Sequence, residues 1–147
     1  MMTPSTAPRK AWISVLAKAA PARLSALMPS LPPHEVLRAP EVGAVMVQGR
    51  IGGTGAAFNL GEMTVTRCSV RLQAGAVGHA WVQGRNPAHA LRAAVADALL
   101  QTDAASSILE QVVQPLIEEA AATRSARARK AAATRVEFFT MVRGEDQ

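Results

Sequence analysis

The 147-residue sequence predicts an α+β fold in which helices cover an antiparallel sheet of about four strands. Three observations predict it. Between Thr64 and Leu72, residues Thr66, Cys68, Val70 and Leu72 share one side of an extended chain, while Val65, Arg67, Ser69 and Arg71 share the other. That period-two alternation is the pattern of a half-buried strand. Gln73-Ala74-Gly75 joins this strand to Ala76–Gln83, and so short a turn forces antiparallel pairing, because a parallel crossover needs about a dozen residues or more. Segments with helical spacing flank the strands on both sides.

In chain order, Met1–Pro8 is rich in Ser, Thr and Pro and is expected to be disordered, leaving residues 9–147 as a single domain. One long helix is expected from about Arg9 to Met28, with Trp12, Ile13, Leu16, Ala20, Leu24 and Leu27 at helical spacing. Pro21 kinks or splits it, because proline lacks the backbone donor and crowds the preceding turn. The basic character of this region, with no acid before Glu35, also matches an organelle transit peptide. The amphipathic spacing favours a helix of the mature protein. Glu35–Ala39 and Val42–Ile51 are expected as two strands broken at Pro40. Gly52-Gly53-Thr54-Gly55 interrupts the second, and Ala56–Glu62 is expected as a loop leading to the strand at Thr64.

After Gly84-Arg85, Asn86 is placed to cap a helix, Pro87 suits its first position, and Leu91, Ala94, Val95, Ala98 and Leu99 form its apolar stripe. Ser107 and Glu110 have capping-box spacing ahead of a second helix, in which Pro115 predicts a kink or restart. Ala120–Ala133 continues as an alanine-rich helix with Arg124, Arg127, Arg129 and Lys130 on it, either a solvated face or a contact for an anionic partner. The long C-terminal helical segment ends in a β-like tail, Val136–Val142, suited to docking on a sheet edge.

Composition narrows the function classes. The net charge of +5 favours anionic partners. An aromatic content of 3% without tyrosine argues against nucleic acid, since single strands are bound by stacking on aromatic platforms as well as by charge. Cys68 is the only cysteine, which fits a reducing cytoplasm and leaves no cysteine cluster for zinc or iron–sulfur. The apolar runs are too short for a membrane span.

No catalytic constellation is apparent, and no metal site. His34, His79 and His89 lack metal-ligand spacing, and naming Ser69, His79 and Asp97 as a triad would need geometry that spacing cannot supply. Cys68 falls on the apolar side of its strand, as a structural thiol would. Gly52-Gly53-Thr54-Gly55 lacks the Lys-Ser/Thr that closes a P-loop, so it reads as a turn requiring positive φ or as a backbone nest for an anion. Arg50, Arg67, Arg71 and Arg85 make the best functional cluster, whose guanidinium forks suit phosphate and carboxylate equally. Val136, Phe138, Phe139, Met141 and Arg143 are the partner-docking candidates.

Several separated motifs carry a family resemblance over nearly the full length. They are Arg9-Lys10-Ala11-Trp12, Arg50–Gly55, Thr64–Leu72, Trp81-Val82-Gln83-Gly84-Arg85 and Arg135–Gly144. In these the chain resembles PhnG, the small G subunit of the bacterial carbon–phosphorus lyase core complex. The resemblance implies phosphonate breakdown: with its H, I and L partners, such a subunit takes part in joining methylphosphonate to the ribose of MgATP with release of adenine. It implies no cofactor in this chain, MgATP as the substrate of the complex, and the I subunit as main partner, with H, J and L beside it. It also implies an accessory, non-catalytic role, because the family's G subunit has no established catalytic residue. The alternative is a nucleotide- or triphosphate-binding module using the arginine face and the glycine turn.

Overall fold

The computed structural model describes residues 6–138, with side-chain environments from Pro8 onward. Two short helices, α1 (Thr6–Lys18) and α2 (Pro21–Leu27), open the chain. The single long helix expected here is therefore two, and the break falls at the predicted proline. Ala20 is extended, with φ −63° and ψ 127°, as a residue before proline tends to be. Residues 6–8, expected to be disordered, belong to α1; the rest of that expectation lies outside the described residues.

Three strands follow rather than four: β1 (His34–Arg50), β2 (Ala57–Leu72) and β3 (Val77–Gln83), antiparallel throughout in the order β1-β2-β3. The two strands expected on either side of Pro40 are one. β1 is an edge strand, and its register against β2 shifts between Val36 and Arg38 and again between Arg38 and Glu41. A bulge on an edge is where proline is tolerated, since its missing N–H faces no ladder partner. The loop expected at Ala56–Glu62 is also strand, because β2 begins at Ala57 and pairs with β1 almost from the turn.

β3 pairs only with Val65–Arg71 of β2. Beyond that point β1 and β2 continue alone as a two-stranded ribbon that ends in the turn at Ile51–Gly53. Gly52 and Gly53 have φ of 60° and 79°, a backbone region that disfavours a Cβ.

The alternation read from the sequence sets the core. Thr66, Cys68, Val70 and Leu72 are buried, while Arg67, Ser69 and Arg71 point away; Val65, expected on that open side, is buried as well. The helix α3 (Pro87–Leu99) lies on the buried side, capped by Asn86, whose Oδ1 accepts from His89 N at 3.0 Å. Its Ala90, Ala93, Ala94 and Ala98 are small enough for close approach to the sheet. Gly78 on β3 sits against it: a Cβ there would meet the Ala94 carbonyl and would stand 2.9 Å from the Ala98 Cβ. Trp12 and Leu16 of α1 and Leu24 of α2 pack into the same cluster, so α3 is enclosed between layers.

The capping box expected at Ser107–Glu110 does not start a helix. α4 (Ala105–Ile108) begins earlier, after Thr102 Oγ1 accepts from Ala104 N at 3.2 Å. One π turn, Leu109–Val113, leads into α5 (Gln114–Ala133). This is the restart predicted at Pro115: the wider turn falls where the proline cannot donate to the preceding carbonyls. Past Ala133 the chain runs from Arg135 to Phe138 without strand pairing, so the β-like tail is not strand over Val136–Phe138, and its remainder lies outside the described residues.

Candidate functional site

Asp97 on α3 is a fully buried carboxylate. It accepts four hydrogen bonds from two elements, α1 and β3. Arg9 Nε and Nη2 donate at 3.1 and 2.7 Å, Trp12 Nε1 at 2.8 Å and the His79 backbone N–H at 2.9 Å. The Asp97 hydrogen bond, opposed by partial burial and reinforced by Coulomb attraction, raises the Arg9 pKa above its ordinary value. Arg9 Nη2 and Gln101 Nε2 both donate to the Val77 carbonyl, so at Val77 and His79 the outer edge of β3 is closed by side chains. Ser69 Oγ and His79 Nδ1 lie 2.8 Å apart on the exposed face of the sheet. Asp97 meets the backbone of His79 and not its ring, so the three do not form a relay.

On that exposed face each arginine has a carboxylate. Glu41 Oε2 accepts from Arg67 Nε at 3.0 Å and Nη2 at 2.9 Å, with Arg38 Nη1 at 3.7 Å; Arg71 Nη1 lies 3.4 Å from Glu35 Oε2. Arg67 also stacks 5.6 Å from the centroid of Trp81. Arg50 donates to the Gly55 carbonyl at 3.1 Å at the ribbon tip, where Gly55 N–H bonds the Ile51 carbonyl at 2.8 Å. Arg50 pairs with Ala57 and Arg67 with Glu41, so their places on β2 are ten residues apart, roughly 33 Å at ~3.3 Å per residue. Arg85 stands exposed after Gly84, whose carbonyl accepts from Thr66 Oγ1 at 2.6 Å. The structure thus brings Arg67 and Arg71 together on one face and leaves Arg50 and the glycine turn with Thr54 at the far tip of the ribbon; Arg85 lies in the loop after β3, whose Gly84 and Asn86 bond Thr66.

Other candidates take structural positions. Cys68 is buried, and desolvation pushes its thiol pKa up. His89 is buried with Nε2 2.9 Å from the Leu16 carbonyl, and His34 Nδ1 lies 2.8 Å from the Pro32 carbonyl. Among the described residues no three His, Cys, Asp or Glu side chains are grouped to hold a metal ion, and no helix is long and apolar enough to cross a membrane. Of the docking candidates, Val136 and Phe138 are exposed, Phe138 to 91%. Phe139, Met141 and Arg143 lie outside the described residues.

The ribbon was not anticipated. Met46, Ile51, Phe58 and Leu60 are all exposed on it, Met46 to 54% and Leu60 to 67%, and Val42 is exposed just before it begins. Val42 and Met46 pair with Thr66 and Glu62, so they continue the core-facing side of β1 beyond the part that is covered. The register skips Leu60, which has no residue opposite. The signal that could have found the ribbon was the apolar pair Phe58 and Leu60 just before the strand at Thr64, in a stretch otherwise read as loop.

These features define an α+β domain with a closed polar node at its centre, its candidate arginines on open surface, and a projecting apolar ribbon. The chain belongs to the family described as phosphonate metabolism protein PhnG, whose model matches residues 7–144. It is 43% identical over 143 residues to the alpha-D-ribose 1-methylphosphonate 5-triphosphate synthase subunit PhnG of Rhizobium meliloti (strain 1021), covering 95% of this chain and 92% of that protein.

Proposed function

We propose that the chain is an accessory, non-catalytic subunit of the carbon–phosphorus lyase assembly that degrades phosphonates in the cytoplasm. With its I, H, J and L partners it serves the transfer of the ribose triphosphate moiety of MgATP to methylphosphonate, with release of adenine, and it holds no cofactor of its own. The observation that carries this reading is the ribbon. A two-stranded hairpin is marginal in water by itself, and contiguous exposed apolar side chains mark interaction surfaces. The relative's name, a synthase subunit, supplies the context in which such a ribbon is covered. In this reading the ribbon meets the I subunit, and Val136, Phe138, Phe139, Met141 and Arg143 add a second contact.

Nucleotide binding through Arg50, Arg67, Arg71, Arg85 and the glycine turn draws less support. Arg67 and Arg71 already face Glu41 and Glu35, and the rest of the set is dispersed. Size-exclusion chromatography with light scattering on the chain co-expressed with the H, I and J subunits tests the assembly reading. Co-elution in one large species, lost when Val136–Gln147 is deleted, is the expected result. A stable chain that elutes alone beside those subunits sinks it.

A further inference from the structure

A separate group of cations without carboxylate partners gathers on the helical side of the molecule. α5 crosses α1 and α2 beside a groove of about 420 Å³, walled by Lys18 of α1, Arg23 of α2, and Thr123, Arg124 and Arg127 of α5. Glu119 is the one carboxylate in it, and it is taken up by Arg23 Nε at 2.7 Å. Among the described residues no carboxylate pairs with Lys18, Arg124 or Arg127. Arg124 and Arg127 are three apart on α5 and therefore share a face, which Thr123 borders with a hydroxyl. The floor is alanine and Leu116.

We propose that this groove is a binding site for a compact polyanion, an oligophosphate chain. Four cations from three helices around one concavity supply more positive charge than Glu119 offsets, and guanidinium forks bond phosphate oxygens in pairs. The volume is that of a small-ligand cleft. No aromatic side chain lines it, so nothing there stacks on a base, and the phosphates are what is recognised. The sheet-face arginines differ on this point: theirs is a surface already neutralised by Glu35 and Glu41.

The test is isothermal titration of the full chain with sodium tripolyphosphate at low salt, in parallel with Arg127→Gln and Arg129→Gln. Both substitutions remove one charge from the same exposed helix, and glutamine keeps helix propensity, so folding is preserved. Arg129 is outside the groove, with Nη1 3.2 Å from Ser125 Oγ. One saturable site is expected, weakened about tenfold or more by Arg127→Gln and left within about twofold by Arg129→Gln. Equal loss in the two variants, which is diffuse charge attraction, overturns the site, as does the absence of saturable binding. Either negative result leaves the subunit reading of the ribbon standing, since no groove residue belongs to the ribbon.

Discussion

Arg9 grips Asp97 across 88 positions of sequence, its Nε and Nη2 donating to Oδ1 and Oδ2 at 3.1 and 2.7 Å. The fork holds α1 to α3, and the same carboxylate orders Trp12 and the edge of β3. Asp97→Ala leaves the Trp12 indole and the His79 amide without their acceptor and Arg9 without its partner. A loss of about 3–5 kcal/mol in unfolding free energy is expected, read by urea denaturation. Arg9→Met keeps the Trp12 and His79 bonds but leaves the buried carboxylate without its counter-charge, so it too should cost about 3–5 kcal/mol. A loss below about 1 kcal/mol would show that the Trp12 and His79 donors suffice to hold the charge.

Gly78 tests how closely α3 is seated. Gly78→Ala places a methyl against the Ala94 carbonyl and 2.6 Å from Ala98 N, both backbone atoms that cannot rotate away. Destabilisation of about 1–3 kcal/mol, or more where α3 cannot shift, is expected. Gly43, which has open space around it, serves as the contrast. Thermal melts of Gly78→Ala and Gly43→Ala should separate clearly.

Cys68 carries the pH prediction. Its thiol pKa is raised in the folded chain by desolvation, so the folded state holds the proton more tightly than the unfolded state, whose thiol titrates near pH ~8.5. The stabilisation is complete below that pH and declines as pH rises towards the folded value. Unfolding free energy should therefore fall more steeply above about pH 8.5 in the native sequence than in Cys68→Ala. A thiol reagent at pH 8 should label Cys68 only as fast as the protein opens; rapid stoichiometric labelling of folded protein would contradict its burial.

The ribbon separates stability from assembly. Met46→Ser with Leu60→Ser alters two exposed side chains, so the isolated chain should keep its unfolding free energy within about 1 kcal/mol. Co-elution with the H, I and J subunits should nevertheless be lost. A complex that survives the double substitution would move the contact off the ribbon.

What was legible in the sequence was local. The period-two pattern at Thr66–Leu72 gave the buried side of β2 correctly, and Asn86 with Pro87 marked the start of α3. What was not legible depended on distant partners. Pro40 reads as a strand breaker until β1 is known to be an edge with a bulge, a property of the sheet and not of the tripeptide around it. Arg67 and Arg71 share a side by alternation, yet only the register brings Glu41 and Glu35 across from them and removes their free charge. Nothing in the spacing of α1 marks Arg9 as paired; its partner is set by how α3 docks. Ser107 and Glu110 have the spacing of a capping box, yet α4 starts before them, after Ala104 and without a side-chain cap.

The Arg9–Asp97 contact also fixes an order of events during protein synthesis. The segment carrying Arg9 and Trp12 leaves the ribosome well before the codon for Asp97 is read. At ~5–20 residues per second the 88-residue interval lasts roughly 4–18 s. Throughout it the first helix has no acceptor for its indole and guanidinium, while the β1–β2 hairpin, whose strands are adjacent in sequence, can already close. The N-terminus, first to be made, thus waits for α3 before it can be seated, and a nascent chain stalled before residue 97 would present Trp12 to chaperones.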